Sequence, residues 1–301
     1  TDPRSMRPYE QPYQETYHGL WTGVEARGVF EVVPQLRLTA GGEAVIHPLV
    51  TMNISQVDLD DATGAFSTTT VTNVSRPYQV YSGYALGDWE PVHEMHLNVG
   101  ARFDYWDNPQ YGDASDVPDF FTVNPRLALI FRLSPSDNLK VVGGRAFRAP
   151  SVYENYYTDG GATQLPSTCS GRTIQPETVY AGEIEVRHHF DDDWSALGSA
   201  HFQLAQQLVD SLPPPADLAA MYPNATYYGN TVGDVVLYGA DVEVRRELRN
   251  GWMFDFQAGV LDARYLITPA GTTNDRVPNV PPVTGSIRMI APIIERYVQA
   301  A

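Results

Sequence analysis

Leu97-Asn98-Val99-Gly100-Ala101-Arg102-Phe103-Asp104-Tyr105 alternates strictly between two kinds of residue. In an extended chain successive side chains leave opposite faces, so Leu97, Val99, Ala101, Phe103 and Tyr105 share one face. Asn98, Gly100, Arg102 and Asp104 share the other. The same period recurs where Leu127, Leu129, Phe131 and Leu133 alternate with Arg126, Ala128, Ile130 and Arg132. It recurs in Val236, Tyr238, Ala240, Val242 and Val244 against Leu237, Gly239, Asp241, Glu243 and Arg245, and again in Trp252, Phe254, Phe256, Ala258 and Val260. Alternation alone suits a soluble sandwich as well as a membrane wall.

The connections decide between them. Short links near 33–35, 90–94, 134–137, 191–193 and 248–251 take turns with long polar stretches at 48–77, 107–119, 150–176, 210–233 and 268–282. Outer-membrane barrels have this rhythm, with tight periplasmic turns and long extracellular loops. Eleven strands are predicted, near 17–30, 36–47, 78–89, 95–106, 121–133, 138–148, 177–190, 194–209, 234–247, 252–266 and 283–291. Their length exceeds the usual five or six residues of a globular strand and suits a tilted crossing. Aromatics gather at strand ends: Tyr17, Trp21, Tyr81, Tyr84, Trp89, Tyr105, Trp106, Phe120, Phe121, Trp194 and Trp252. Amphipathic rings favour the headgroup level, although the core of a large soluble sheet also collects rings. The fold class read from these signals is all-β, an antiparallel transmembrane β-barrel. In this register Leu97, Val99, Phe103, Leu127, Leu129, Phe254 and Phe256 face hydrocarbon.

Composition narrows the function classes. The 36 acidic residues outnumber the 20 basic ones, for a net charge of −16, which argues against a nucleic-acid partner. Cys169 is the single cysteine, so there is no internal disulfide and no cysteine metal cluster. No apolar run approaches the roughly 18 residues of a spanning helix, a test that leaves strands untouched. The chain opens on Thr1-Asp2-Pro3-Arg4 and not on a secretory leader, so it is expected to be a processed or internal piece of something longer.

Asn124-Pro125-Arg126-Leu127-Ala128-Leu129, then Leu139-Lys140-Val141-Val142-Gly143-Gly144-Arg145-Ala146-Phe147-Arg148-Ala149-Pro150-Ser151 and Tyr153-Glu154, resemble a block of the TonB-dependent outer-membrane receptors. Gln175-Pro176-Glu177-Thr178 with Gly182-Glu183-Ile184-Glu185, and Tyr238-Gly239-Ala240-Asp241-Val242-Glu243, are similar to later strands of that family, with Asp241 in place of its first Glu. Upstream, Tyr84-Ala85-Leu86-Gly87-Asp88-Trp89 and the strand through Asp104 match the preceding pair, and Asn279 with Pro281 and Pro282 sits where the family has a late Asn-x-Pro. The resemblance implies a 22-stranded barrel around an N-terminal plug in the bacterial outer membrane, among lipid and lipopolysaccharide. A periplasmic TonB-type protein energises it to import a scarce large ligand: an iron-siderophore, haem, cobalamin or a glycan. Residues 1–301 then form a partial barrel domain; the plug, the TonB box and about half the strands are expected to be missing, as is the terminal aromatic. An open eleven-stranded sheet leaves two unpaired edges in hydrocarbon, so more chain or other chains must close it. A passive porin is the alternative, and an outer-membrane enzyme or adhesin comes third. Accessory lipoproteins are left open.

Two residue groups are candidate sites. Arg102, Arg126, Arg132, Arg145 and Arg187 lie on or near the polar register with Glu183, Glu185, Asp241 and Glu243. By the resemblance they line the lumen and meet the plug; otherwise they satisfy one another as a wet wall. Tyr153, Tyr156, Tyr157, Tyr222, Tyr227 and Tyr228 fall in long loops, where rigid rings suit a planar ligand or simply pack the loops. No cofactor or metal is implied. Asp58–Gly64 lacks the spacing of a calcium loop, and His188 and His189 face opposite sides of a strand. Nucleophile elbow, phosphate loop and zinc-protease motifs are missing, so no catalytic residue is named. Glu183 and Glu185 share a face as an acid–base pair would, but equally as a water-lined wall requires.

Overall fold

A computed structural model describes residues 13–60, 65–112, 116–268, 274–294 and 298–300. One wall dominates it, built from β1 (Tyr13–Val33), β2 (Leu36–Asp60), β4 (Tyr78–Val92), β5 (Met95–Asp107), β6 (Phe120–Arg132) and β7 (Asp137–Arg148). It continues through β8 (Glu177–His189), β9 (Trp194–Gln206), β12 (Val235–Glu247), β13 (Met253–Tyr265), β14 (Val283–Ile294) and β15 (Val298–Ala300). Each strand pairs antiparallel with the next in that order, and β3 (Ala65–Ser75) adds to β2, making thirteen strands in one sheet. A separate ribbon pairs β10 (Val209–Leu212) with β11 (Tyr227–Asn230). Among the described residues no helix is long and apolar enough to cross a membrane; α1 (Val152–Tyr156) is a single turn or so.

All eleven predicted strands are present. Short connections fall where expected because turn chemistry fixes them. Ser134 Oγ donates to Asp137 Oδ2 at 2.5 Å. Asp191 Oδ1 accepts the Asp193 and Trp194 amides at 2.8 Å each, an Asx turn. Gly251 supplies φ 87° between β12 and β13.

Two long stretches differ from expectation. The second strand does not stop at 47; β2 continues to Asp60. Proline has no amide to donate, and Pro48 falls where the β1–β2 register shifts. There β2 exchanges partners, from β4 (His47 with Tyr78) to β3 (Thr51 with Ser75). The 48–77 stretch is therefore mostly a hairpin, with the Thr-rich run of β3 supplying β-branched residues. The eighth predicted strand, in contrast, ends early at Gln206, because Gln207 sits at φ 55° and leaves the ladder. The 210–233 stretch then holds the β10–β11 ribbon.

The registers assign two faces. One carries Val24, Leu38, Val99, Phe103, Leu127, Ile184, Val186, Val242, Phe254, Phe256 and Ile287, all exposed. Every position expected toward hydrocarbon lies on it. Tyr81, Tyr105 and Phe121 form a row at its long-loop end, and Trp89 and Trp194 lie toward the short-turn end. Tyr81 and Trp89 are eight residues apart on β4, about 26 Å of strand. At a tilt of about 40° that projects to about 20 Å, close to the apolar band of an outer-membrane barrel. Tyr84, Trp106 and Phe120, grouped with these rings in the sequence, stand instead on the polar face, since they share parity with Arg102 and Thr122.

Among the described residues, buried apolar side chains are not in the middle of the wall. Met52, Ile54, Leu165, Ile174 and Ala225 are packed at the long-loop end, where the β2–β3 hairpin meets the 150–176 segment and Thr72 Oγ1 donates to the Thr158 carbonyl. A wall one strand thick buries little against itself, so its own core lies in the loops that fold back on one another.

Candidate functional site

On the polar face the register stacks charges across strands. Asp104 is 3% exposed and accepts from Arg102 Nε and Ser82 Oγ at 2.7 Å and from Asn124 Nδ2 at 3.1 Å. Arg102 Nη2 also reaches Glu43 Oε2 at 2.8 Å. Arg102, Arg126, Asn124, Tyr84, Glu25 and Arg27 line a recess of about 340 Å3, in which the Tyr84 hydroxyl donates to Glu25. Four strands thus contribute to one network that sequence showed only as separate charges. Nearer the other edge, Lys140 Nζ meets Glu185 Oε2 at 3.8 Å and His201 Nδ1 meets Asp241 Oδ2 at 3.3 Å. Glu243 takes Gln257 Nε2 at 3.1 Å and Arg245 Nη2 at 3.4 Å. Asp255, buried beside them, binds Arg245 Nε at 3.1 Å, with Arg288 Nη2 at 3.7 Å.

The predicted residues separate accordingly. Arg102, Glu185, Asp241 and Glu243 join these networks. Arg126, Arg187 and Glu183 lie on the same face but make no ion pair among the described residues. Arg132 sits at the short-turn end, Nη1 3.2 Å from His93 Nε2. Arg145 falls on the opposite register, level with Tyr180, and its guanidinium curls to the Val123 carbonyl (2.7 Å), Thr178 Oγ1 (3.0 Å) and Asn124 Oδ1 (3.2 Å). Glu43, Lys140, Arg245, Asp255 and Arg288 were not among the predicted site residues; Arg245 shares the register of Glu243 on β12, which was an available signal, whereas Glu43, Lys140, Asp255 and Arg288 reach this face through the pairing of their strands.

The long-loop end holds the tyrosines. Arg148 is clamped between Glu154 (2.9 Å to Oε2 and to Oε1) and Glu177 (2.5 Å), which ties α1 to β7 and β8. Ser151 and Glu154 close a capping box on α1. Burial pushes the Glu154 carboxyl up, but hydrogen bonds from Arg148 and Ser151 outweigh it and hold it below its usual range. The Tyr153 and Tyr157 rings stack at 4.5 Å, and Tyr228 meets Tyr153 edge-on at 5.9 Å. Burial, joined by the neighbouring phenol and Asp159, raises the Tyr157 phenol. Tyr156 turns away to lie 5.2 Å from the Arg76 guanidinium. Tyr227 lines a separate recess of about 500 Å3 with Arg172, Gln175 and Asn230. Tyr222 packs so closely on Gly161 (φ 93°) that a Cβ there would lie 2.5 Å from its ring. Asp159 anchors this loop by accepting from Gly161, Thr163 and Gln164 amides and from Thr163 Oγ1. Burial works against its charge, yet these donors hold its carboxyl below the usual range.

Among the described residues no three His, Cys, Asp or Glu side chains gather to hold a metal. The acidic stretch 58–64 lies outside the described residues from Asp61 to Gly64. His188 Nδ1 is 2.6 Å from Asp137 Oδ1, and Ser134 bonds the same carboxylate, so serine and histidine both clamp the aspartate of a turn. A relay needs histidine between the other two. Glu183 and Glu185 do share a face, but Glu185 answers Lys140.

A single antiparallel layer with one apolar face, one charged face and long connections gathered at one end is the wall of a membrane-spanning β-barrel. Residues 6–293 match the family described as TonB dependent receptor-like, beta-barrel, and the chain belongs to that family, which places it in the outer membrane. No curated protein sequence matches it. Among solved structures, the copper transporter OprC superposes with a TM-score of 0.66 at 15% identity, over 96% of this chain and 42% of that one. The ferric yersiniabactin uptake receptor FyuA from Yersinia pestis gives 0.65 at 13% identity, over 95% and 42%. The ferripyoverdine receptor of the Pseudomonas aeruginosa outer membrane gives 0.62 at 12% identity, over 95% and 37%. The chain spans less than half the length of each of these structures.

Proposed function

We propose that this chain is the greater part of the wall of an energy-dependent importer, drawing a large metal chelate or macrocycle through the outer membrane at the expense of a TonB-type periplasmic partner. The polar face is the lumen, and Arg126, Arg187 and Glu183 are the side chains held there for a plug. The carrying observation is the uneven pairing of that face. Arg102, Asp104, Glu43 and Ser82 satisfy each other within the wall, whereas Arg126, Glu183 and Arg187, spread along the same face toward the short-turn end, make no ion pair in it among the described residues. Charges facing a wide water channel stay hydrated, while charges against a plug need partners from it, and a wall mixing the two suits a removable occupant. The resemblance of the fold to copper, ferric yersiniabactin and ferripyoverdine transport proteins supports import as the activity. The long connections, with their clustered tyrosines, are the extracellular ligand-gathering side.

The test is uptake of radioiron chelates by cells carrying the full-length receptor, with and without a protonophore. Import should stop when the proton-motive force collapses. Uptake that continues unchanged would make the protein a diffusion channel. Charge reversal at Arg126 and Arg187 together should weaken plug retention, read as raised antibiotic permeability; an unchanged permeability would remove these residues from the plug contact.

A further inference from the structure

β6 and β7 pair over only part of their length. The ladder runs from Arg132 with Asn138 to Arg126 with Gly144 and ends there, although β6 reaches on to Phe120 and β7 to Arg148. On their other sides both strands stay zipped, β6 to β5 as far as Phe120 with Trp106 and β7 to β8 as far as Arg148 with Glu177. Residues 120–125 and 145–148 therefore face each other with no ladder between them. Pro125 supplies the reason. A Cβ on Gly144 would stand 3.1 Å from the Pro125 carbonyl, so that carbonyl points at β7. Within a strand the nitrogen of a residue points the same way as its carbonyl. Proline has no hydrogen on that nitrogen, so the next rung cannot form.

Arg145 occupies the gap. Continuing the register of Arg126 with Gly144 sets it level with Pro125, halfway between Phe121 and the level of Trp89. Its side chain leaves from the register of the apolar face, where an arginine near the midplane is strongly disfavoured. The guanidinium does not stay there. Nη1 donates to the Val123 carbonyl at 2.7 Å, which shares the direction of the Pro125 carbonyl, and to Asn124 Oδ1 on the polar face at 3.2 Å. Nη2 donates to Thr178 Oγ1, on the apolar register, at 3.0 Å. Bonds to a backbone carbonyl and to both faces place the guanidinium within the thickness of the wall, where a rung would be. Higher up, Phe147 from the apolar register meets Phe120 from the polar one edge-on at 6.3 Å. A zipped ladder would hold those rings apart on opposite faces. A cavity of about 240 Å3 at this end touches Phe120 on one side and Ala149 and Pro150, just past β7, on the other.

We propose that β6 and β7 above this point are the lips of a lateral slot from the lumen to the lipid leaflet on the long-loop side, with Arg145 as the latch that holds it shut. A ladder closes by a row of cooperative rungs, whereas closure here rests on one guanidinium and one ring contact. The lips part at the loss of those few contacts while the zipped halves below stay fixed. An open slot takes a lipid acyl chain: Phe121 and Tyr180, both exposed on the apolar face, flank it, and Phe147 shares their side. The slot is independent of the import reading, since it follows from the pairing of the wall and not from what passes down the lumen.

The experiment uses the full-length receptor in phosphatidylcholine vesicles. Amide exchange, corrected for intrinsic rate, is read over 120–125 and 145–148 and over the zipped segments 127–132 and 138–143. A bimane on Ala146→Cys, in a receptor whose native cysteines are serine, reports quenching by lipid brominated on its acyl chains; Ala146 leaves the polar face. Arg145→Met removes the donors and keeps a long side chain. It should speed exchange in 120–125 and 145–148 about ten-fold, the worth of one hydrogen bond to a charged group. The zipped segments should stay within about two-fold and the quenching should rise at least about two-fold. An arginine merely stranded on a lipid face would give the opposite sign, since methionine is more stable there. Adding Pro125→Ala restores the missing amide and should return both readings to those of the unaltered receptor. Pro125→Ala alone, with Arg145 kept, should slow exchange in the same two segments, which tests the slot even where Arg145→Met does not fold. Unchanged or slower exchange with Arg145→Met, equal acceleration in all four segments, faster exchange without added quenching, or no effect of Pro125→Ala overturns the proposal.

Discussion

Leu127 and Ala128 are neighbours on β6 whose side chains leave opposite faces, and an arginine at each should report which face meets lipid. Leu127 is 43% exposed on the apolar face, between Phe121 at the long-loop end and Leu129, which is level with Leu97 and Trp89. The midpoint of that span is Pro125, so Leu127 sits two residues from it, about 7 Å along the strand and about 5 Å in depth at a tilt of about 40°. Arginine on a lipid face costs about 2–4 kcal/mol at the midplane and about 0–1 at the interface. Leu127→Arg should therefore cost about 2–3 kcal/mol, or roughly 30- to 150-fold in the unfolding equilibrium. Ala128→Arg, on the charged face, should cost less than about 1 kcal/mol because the guanidinium stays in water or meets a polar partner. The assay is guanidinium unfolding of the full-length receptor in phospholipid vesicles, followed by tryptophan fluorescence. Equal costs, or a larger cost at 128, would refute the assignment of faces.

Asp104→Ala should destabilise the barrel by about 2 kcal/mol, below the full penalty for a broken buried pair because Arg102 is partly solvated and keeps Glu43; an unchanged midpoint in the same assay would show the network to be idle. The Asp159 carboxyl lies below its ordinary range when folded, so its contribution is complete above that range and lost as pH falls through the folded value. Amide exchange at Gly161, Thr163 and Gln164, corrected for intrinsic rate, should show protection at pH 6 that is gone well below pH 3.9; protection unchanged across that window would remove the anchor role. In a Cys169→Ser background, Ala162→Cys should react with a membrane-impermeant maleimide on whole cells and Asp192→Cys should not. The reverse pattern would invert the topology.

The wall was readable because period two and turn chemistry act locally: Leu97 to Tyr105 and Ser134 to Asp137 need no distant partner to declare themselves. Pro48 misled the reading. A proline ordinarily ends a strand, and only the partner exchange of β2 makes a place for it. Parity could have moved Trp106 to the side of Arg102, since both are even-numbered on β5. It could not place Arg145, because Val141-Val142-Gly143-Gly144 has no alternation and the facing Tyr180 alone fixes the register. The tyrosine-rich loops were visible as composition. That Tyr153 meets Tyr157 and Tyr228 while Tyr156 goes to Arg76 depends on chain segments far apart in sequence, which no local pattern encodes.

The strict neighbour-to-neighbour order of the wall bears on how such a chain is assembled. Every pairing from β4 to β9 closes a loop no longer than the segment between consecutive strands, so little chain entropy is spent before each ladder begins to form. The wall can grow one hairpin at a time, and at each stage only the first and the newest strand present unsatisfied backbone. Inside a bilayer those two rims are the whole cost of incompleteness. A factor guiding insertion needs only to shield two strand edges, whatever number of strands has already been laid down between them.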